Sequence, residues 1–304
     1  MDYILTSEGL CKNYKKFKAL SDFSIHIPKG SVYGLVGRNG VGKTTFIRII
    51  CGLQEPTNGS YTLYGANSGT KAVYAARRRM GAIIESPAIY RDMTAEENLR
   101  QQYRVLGLPS FDGIGELLKL VGLSDTGKKK AGHFSLGMRQ RLAIATALCG
   151  EPDFLILDEP MNGLDPQGII EIRELILKLN REKQVTILIS SHILDELSKV
   201  ATHYGFMDKG SMIKEMSAEA LNSVQRKCVR ITVDGIVALS NLLEKKGIEY
   251  SIVSDSEADI YGEINMAQLI VELSQNGCSV IAMNEKDESL ESYFINLVGG
   301  EEND

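Results

Sequence analysis

A glycine-rich stretch, GRNGVGKTT at residues 37–45, has the residue types and spacing of a phosphate-binding loop. It satisfies G-x-x-x-x-G-K-[ST], it follows the apolar run SVYGLVG, and it leads into KTTFIRIICGL, which is expected to be helical. Glycines let the backbone turn tightly, so that successive amides and the helix N-terminus point at phosphate oxygens. In such loops the lysine binds the β- and γ-phosphates and the hydroxyl ligates Mg²⁺, which here means Lys43 and Thr44. The residues predicted to contact a nucleotide are Gly37, Arg38, Asn39, Gly40, Val41, Gly42, Lys43, Thr44 and Thr45.

An acidic pair closes a second apolar stretch, FLILDEP at residues 154–160. A continuous apolar run of this length suits a strand that is buried on both faces of a parallel sheet. At the end of such a strand Asp158 is expected to hold Mg²⁺ through water, and Glu159 to polarise an attacking water. Taken alone, the pair is more typical of a helix cap or a turn. The phosphate-binding loop upstream favours the catalytic interpretation.

Two further stretches carry candidate residues for nucleotide binding or hydrolysis, and each of them has a purely structural interpretation as well. SSHILDEL at 190–197 puts His192 at the end of a buried run, where it can hydrogen-bond a γ-phosphate or the attacking water, or be purely structural. HFSLGMRQRLAIATAL at 133–148 opens a helix at Ser135 and Gly137, and the first turn of a helix binds phosphate. The alternative is an amphipathic packing helix with a serine cap.

Glu85 lies in GAIIESPAIY, between an apolar run and a turn that contains proline. The sequence places little around it that would neutralise its charge, so it is either an ordinary surface carboxylate or one placed for function. The basic run ARRR at 76–79 is interpreted as a solvated face, with contact to lipid headgroups or permease loops as the alternative.

The elements that must position these residues form an α/β pattern. Strands alternate with helices as far as residue 215, and a helix is expected over about 166–181, between two apolar runs. Residues 94–149 are predicted to be mainly helical. The expected buried strands lie at 31–37, 154–158 and 185–190.

The pattern changes in the last quarter of the chain. Residues 227–297 predict the order βαββαβ, which is typical of a small ferredoxin-like α+β domain. The polar stretch at 216–226 is the expected connection, so the predicted domains are 1–215 and 227–304. The second domain carries no metal-binding spacing, nucleophile pair or glycine-rich loop, and we expect it to be regulatory or dimer-stabilising.

Composition narrows the class of protein. The 304 residues are 43% hydrophobic and carry a formal net charge of −5, which argues against a general nucleic-acid binder. Five scattered cysteines, none in a C-x-x-C pair, predict reduced thiols without a disulfide or metal framework. The sequence has no signal-peptide-like start and no apolar run of about 18 residues, so a membrane role would require a partner.

In this order, the stretches resemble the motifs of ATP-binding cassette (ABC) ATPases over about residues 1–215. GRNGVGKTT resembles Walker A, FLILDEP Walker B, FSLGM the signature motif, NGLDP the D-loop, and His192 the switch histidine. Tyr14 stands where the family places a ring that stacks on adenine, with a half-buried strand tyrosine as the alternative. The resemblance implies a P-loop NTPase cassette, with a RecA-like core and antiparallel β and helical subdomains.

The resemblance also implies a mechanism. Two cassettes bind head to tail around two ATP molecules with Mg²⁺, and we expect a homodimer. Lys43, Thr44 and Asp158 act from one subunit, Ser135 and Gly137 act from the other, and Glu159 is the catalytic carboxylate. Closure on ATP and opening after hydrolysis drive an integral-membrane permease, and no nucleic-acid partner is expected.

Glu85 aligns with a glutamine that the family carries at the end of the strand after the P-loop helix. We therefore expect Glu85 to be a catalytic and metal-binding residue, with Gln101 or Gln102 as the alternative. Together with FSLGM and the tail ESLESYFINLVGG, Glu85 resembles the bacterial bacitracin-resistance and lantibiotic-immunity ATPases. That resemblance implies a cytoplasmic subunit, peripheral on the inner face of the plasma membrane.

Two other functions are considered. A soluble ABC ATPase acting on ribosomes or nucleic acid usually has two cassettes or long coiled coils, and this chain has one cassette and no heptads. A non-hydrolysing regulator is disfavoured by Glu159 and His192. Leu136 and Met138 depart from the usual signature, which predicts weaker phosphate capture across the dimer.

Overall fold

The computed structural model of the chain describes residues 2–224, 227–262, 265–287 and 290–299. The chain forms two units, Met1–Ala218 and Glu219–Asp304. The stretch 216–226, predicted as the connection, contains the end of a strand and the helix Ala218–Val224, and residues 225 and 226 lie outside the described residues.

The first unit contains helices and strands in alternation. In chain order these are β1 (Tyr3–Tyr14), β2 (Phe17–Pro28), β3 (Val32–Val36), α1 (Lys43–Ile50), β4 (Asn58–Leu63), β5 (Ala66–Asn67), α2 (Ala72–Arg77), β6 (Met80–Ile83), α3 (Ala95–Leu106), α4 (Ile114–Leu120), α5 (Leu136–Leu148), β7 (Phe154–Asp158), α6 (Pro166–Lys183), β8 (Thr186–Ser191), α7 (Leu194–Ser198), β9 (His203–Asp208) and β10 (Ser211–Ser217).

The central sheet of this unit has the strand order β10-β9-β3-β8-β7-β6. From β9 to β6 every neighbouring pair is parallel, and every residue of β3, β7 and β8 is buried. Buried parallel strands require continuous apolar sequence, which the three runs supply. Because these strands run in one direction, the loops that follow β3, β6, β7 and β8 meet at one edge of the sheet. The predicted α/β core is confirmed.

A second sheet lies beside the P-loop helix α1. It is antiparallel with the order β2-β1-β4-β5. The ring of Phe46 in α1 lies 4.9 Å from that of Phe23 in β2, centroid to centroid, and both side chains are fully buried. Burial of one such side chain stabilises the fold by about 1.5–3 kcal/mol. This packing fixes the helix that starts at the phosphate-binding loop.

The predicted helical stretch contains α3, α4 and α5. Helix α3 begins with a capping box, in which the Thr94 hydroxyl accepts from the Glu97 amide and the Glu97 carboxylate accepts from the Thr94 amide. It ends at Gly107 in the left-handed conformation, where glycine carries no steric penalty. Farther along the chain, α6 begins at Pro166 with Asp165 as its N-cap.

The second unit forms a separate antiparallel sheet of order β12-β13-β11-β14. This order, with one helix after the first strand and one after the third, is that of the ferredoxin-like fold, so the predicted fold is confirmed. Glu263 and Ile264 of the third predicted strand, and 288, 289 and 300 of the tail motif, lie outside the described residues. The elements from the connection onward are α8 (Ala218–Val224), β11 (Lys227–Val233), α9 (Ile236–Lys246), β12 (Tyr250–Ile252), β13 (Glu257–Tyr261), α10 (Met266–Gln275), β14 (Val280–Asp287) and α11 (Leu290–Gly299).

The basic run at 76–79 is only partly a solvated face. Arg77 donates to the carbonyl of Ile50 and to the hydroxyl of Tyr61, and the Arg79 guanidinium lies 3.9 Å from the centre of the Tyr64 ring. Arg78 and Arg79 are exposed, whereas Arg77 is half-buried. The expectation of a solvated run is therefore wrong for Arg77 alone, because a backbone carbonyl and an aromatic side chain lie within its reach.

The five cysteines are all free thiols in the structure. Burial raises the pKa of Cys51 to about 12, although Arg77 opposes this shift, and burial raises the pKa of Cys149 to about 12 as well. A thiol with so high a pKa is uncharged at neutral pH and a poor nucleophile. Within the described ranges, no helix combines the length and the apolar character that crossing a bilayer requires.

Candidate nucleotide-binding site

The loop after β3 has the backbone of a phosphate cradle. Gly40 and Gly42 have φ of +83° and +112°, which favour glycine. A Cβ at Gly42 would lie 2.3 Å from the carbonyl oxygen of Ala19, so a larger residue does not fit there. Helix α1 begins at Lys43 without a side-chain cap and without an acidic residue in its first turn. Its first amides are therefore available to an anion.

Lys43 is 5% exposed and lies against the loop. Its Nζ donates to the carbonyl oxygen of Gly37 at 2.5 Å and approaches that of Arg38 at 3.3 Å. The same Nζ atom also lies 3.4 Å from Oε1 of Glu159. These contacts hold the ammonium beside the loop amides, where a triphosphate would be bound. The geometry fits a phosphate ligand.

Asp158 is a buried carboxylate, 1% exposed, at the end of β7. Its oxygens accept from the hydroxyl of Thr44, at 2.9 Å, and from the hydroxyl of Ser190. No Lys or Arg among the described residues forms an ion pair with it. Buried charges in proteins are normally paired or bound to a metal, so a divalent cation fits beside Thr44 and Asp158. Two protein oxygens, with water and phosphate completing the shell, are the usual Mg²⁺ arrangement.

Glu159 follows directly, with the left-handed φ of +50°. Its amide donates to the backbone and the hydroxyl oxygens of Ser190, both at 3.1 Å. Its Oε2 lies 2.7 Å from Nδ1 of His192, whereas its buried Oε1 has no hydrogen-bond partner among the described residues. A non-glycine residue in this conformation is strained, and such strain concentrates at functional sites. The structure thus brings Glu159, His192 and Lys43 together.

Glu85 is not the unneutralised carboxylate that the sequence suggested. It has φ of +61° and is exposed, and its Oε1 accepts from the Arg48 guanidinium at 2.6 Å. Arg48 lies on α1 one turn after Thr44, on the same face of that helix. The expectation was wrong because residues from two separate elements meet here, and neighbours in sequence do not reveal this.

A cavity of about 350 Å³ joins these residues. Its lining includes Thr44, Asp158, Glu159, Glu85 and Gln140. The predicted metal-binding and catalytic carboxylates therefore share one space. Gln101 and Gln102, the alternatives to Glu85, lie on α3 and do not line this cavity.

Ser135 and Gly137 open helix α5. The Ser135 hydroxyl accepts a hydrogen bond from the Met138 amide at 3.2 Å. Ser135 therefore caps the helix, as expected for the alternative of a packing helix with a serine cap. A Cβ at Gly137 would make only ordinary contacts, at 3.7 Å to Gly168 and 3.9 Å to Leu164. Packing within its own chain therefore does not require a glycine at 137. Neither residue lines the cavity, which agrees with a role toward a second subunit.

Tyr14 lies at the end of β1, opposite Phe17, and is 38% exposed. Its hydroxyl bonds to the side chain of Gln54, and the Lys12 ammonium lies 5.3 Å from the centre of its ring. The structure does not place Tyr14 in the cavity with the carboxylates. A half-exposed ring at this position leaves a face open for stacking.

Three residues near the site were not given a role from sequence. Ser190 bridges Asp158 and the Glu159 amide, Arg48 pairs with Glu85, and Gln140 lines the cavity. Ser190 could have been found, because it follows a buried strand beside the acidic pair. No comparable signal in the sequence points to Arg48 or Gln140.

Comparison with known proteins decides the family. Residues 20–162 match the model of the ABC transporter family. The chain is 38% identical to the bacitracin transport ATP-binding protein BcrA of Enterococcus faecalis, over 99% of this chain and 98% of that protein. This chain belongs to the family of ABC transporter ATP-binding proteins. It is also 40% identical, over 73% of its length and 94% of the relative's, to the lantibiotic transport ATP-binding protein SrtF of Streptococcus pyogenes.

Solved structures agree with this assignment. CbiO1 of Clostridium perfringens, part of the ABC transporter complex cbiONQ, is 27% identical and superposes with a TM-score of 0.66, covering 74% of this chain and 92% of that one. A dimeric cassette bound to ADP and Pi, MJ0796, is 24% identical with a TM-score of 0.64 over 70% of this chain and 98% of its own, and shows the shared fold. The chain is thus an ABC ATPase that binds ATP, and the predicted family and enzyme class are confirmed.

The Arg48–Glu85 pair leads to a double-mutant prediction. Glu85→Gln is expected to keep ATP binding and to change hydrolysis or its coupling to a partner, because the site loses a negative charge. Arg48→Ala is expected to change the hydrolysis rate by about fivefold at most, the equivalent of the 0.2–1 kcal/mol of a half-exposed ion pair. In the Glu85→Gln background the same change should have no effect, since no carboxylate remains to be paired. Steady-state ATP hydrolysis of the four proteins measures this.

The matched control is Arg78→Ala, which removes an exposed arginine away from the cavity. Equal effects of Arg48→Ala in both backgrounds would show that Arg48 acts without Glu85. Unchanged hydrolysis and transport in the Glu85→Gln variant would show that Glu85 is an ordinary surface carboxylate.

Proposed function

We propose that this protein powers a separate bacterial membrane permease that removes peptide antibiotics of the bacitracin or lantibiotic type from the cell surface. The observation that carries the proposal is the match over 99% of the chain to bacitracin transport ATP-binding proteins of Enterococcus faecalis and Bacillus licheniformis, both at 38% identity. A carboxylate at position 85, beside the nucleotide site, supports it. The relatives named here are transport proteins, so nothing favours a soluble ATPase acting on ribosomes or nucleic acid.

The proposed working form is a head-to-tail homodimer, with each nucleotide between the phosphate loop of one copy and the α5 helix of the other. Exposed Ser135, and a glycine at 137 that its own chain does not require, support contact with a partner's nucleotide. The subunit would be cytoplasmic and sit peripherally on the inner face of the plasma membrane, against its permease. The C-terminal unit would regulate or stabilise the pair.

Within each site the geometry supports the following proposed roles, and that of Tyr14 rests on the family resemblance. The loop amides from Arg38 to Thr45 and the ammonium of Lys43 would bind the phosphates, and Tyr14 would stack on adenine. Thr44 and Asp158 would hold Mg²⁺, with Glu85 at its outer edge, and the ion supplies charge neutralisation at the phosphates when bound. Glu159 would accept a proton from the attacking water, oriented by His192. Glu85, paired with Arg48, would bring a carboxylate to the cavity with less repulsion of the γ-phosphate.

A drug-sensitivity panel tests the proposed substrate. Cells that lack this gene would be exposed to bacitracin, several lantibiotics and unrelated toxic compounds. We expect hypersensitivity to the peptides alone, restored by the wild-type gene and not by Glu159→Gln. Unchanged sensitivity to the peptides would contradict the substrate class and would make Glu85 a poor marker for it.

A further inference from the structure

Gln140 is a largely buried polar residue whose amide lines the cavity and makes no hydrogen bond to the described residues. It lies in the second turn of α5 and is 6% exposed. Its carboxamide has no hydrogen-bond partner in the part of the chain that the structure describes, and it lines the cavity beside the acidic pair. Buried side-chain amides are almost always hydrogen-bonded, to protein or to ordered water. The amide of Gln140 is therefore available to a water or a ligand in the cavity.

Glu159 presents a second unmet group to the same cavity. Its Oε1 is buried and accepts no hydrogen bond from the residues that the structure describes, and Lys43 Nζ lies 3.4 Å away as an ion-pair contact. Its Oε2 is held by His192. The cavity of about 350 Å³ is far larger than the ~30 Å³ that one water occupies, and a buried water makes about three hydrogen bonds. An amide donor and a carboxylate acceptor that line one cavity are suited to hold a water between them.

We infer that Gln140 is a positioning residue for hydrolysis, whose side-chain amide holds the water that Oε1 of Glu159 polarises. The inference rests on the proposed role of Glu159 as the proton acceptor. The water accepts a hydrogen bond from Nε2 of Gln140 and donates one to Oε1 of Glu159, which leaves one lone pair free for the γ-phosphorus. The oxygen–phosphorus bond forms, the bond to the bridging β–γ oxygen breaks, its electron pair leaves with ADP, and the proton passes to Glu159.

The first test replaces the amide by an apolar group of similar length. Gln140→Met in the full chain is expected to lower kcat by about 10²- to 10³-fold, the scale for one preorganised hydrogen-bond donor, with KM for ATP and the melting temperature little changed. Gln101→Met, on α3 and outside the cavity, is the control and should behave like wild type. An unchanged kcat in Gln140→Met would overturn the inference.

The second test repeats the substitution in two backgrounds. In Glu159→Gln the Gln140→Met change should have no further effect on the single-turnover rate, because no carboxylate polarises the water. In Glu85→Gln it should keep its full effect. If Gln140→Met still lowers the single-turnover rate in the Glu159→Gln background and also lowers the melting temperature, Gln140 has a packing role. If Gln140→Met loses its effect only in the Glu85→Gln background, Gln140 acts through Glu85 and not through Glu159. Both results would overturn the inference. A failure of the proposed role of Glu159 would be recognised separately, because the Glu159→Gln variant alone would then hydrolyse ATP at the wild-type rate.

Discussion

Glu159→Gln is expected to lower kcat for ATP hydrolysis by about 10²- to 10⁴-fold while leaving ATP binding intact, which is the scale of a lost general base. The amide has the size of the carboxylate and can still bond to His192. It cannot accept the proton of an attacking water. Because Oε1 of Glu159 accepts no hydrogen bond from the described residues, it is available to the attacking water, and the chemical step depends on it directly. ATP bound without turnover should also hold two copies together, since opening follows hydrolysis.

Phosphate release under saturating ATP measures the rate, and light scattering with ATP and Mg²⁺ measures the mass of the complex. Glu174→Gln, which changes an exposed carboxylate of α6, is the matched control and should keep wild-type turnover. Turnover within threefold of wild type in Glu159→Gln would remove Glu159 from its proposed role. A monomer in the presence of ATP would contradict the nucleotide-dependent pair.

Lys43→Ala is expected to weaken ATP binding by about 10- to 100-fold, and turnover should fall with it. A hydrogen bond to a charged group contributes about 1.5–3 kcal/mol, and each 1.4 kcal/mol is tenfold in Kd. The Lys43 ammonium is nearly buried and is already held beside the loop, so little of its binding energy goes into ordering it. The loss should be larger for ATP than for AMP, which lacks the β- and γ-phosphates.

Fluorescent-nucleotide titration gives the affinities, with exposed Lys29→Ala as the control. Because Lys43 also bonds to the carbonyl of Gly37, the melting temperature must be recorded for both variants. A folded Lys43→Ala protein that binds ATP as tightly as wild type would contradict the assignment of this loop.

Much of the site could be predicted because its signals are local. The glycines and lysine of residues 37–45 lie within one loop, and the carboxylates of Asp158 and Glu159 follow a short apolar run that suits a buried strand. Parallel strands then bring their carboxyl ends to one edge, so residues 85, 158, 159 and 192 had to lie close together. The ferredoxin-like order of the second unit followed from periodicity in the same way.

What could not be predicted depends on side chains that meet across elements. Arg48 and Glu85 are separated by 37 positions, and nothing in either stretch indicates the other. Arg77 looked like one of a solvated run, yet it reaches Tyr61 and a carbonyl of α1. In the sequence Gln140 is one polar position on an amphipathic helix, and only the folded structure shows that it lines the same cavity as Glu159.

Affinity purification of the tagged Glu159→Gln chain from membranes, with ATP and Mg²⁺, tests most directly that this ATPase drives a transporter. The ATP-bound pair should hold its permease, so we predict that an integral membrane protein co-purifies in a fixed ratio. It should be lost in Lys43→Ala. Co-purification of ribosomes or nucleic acid in place of a membrane protein would contradict the account.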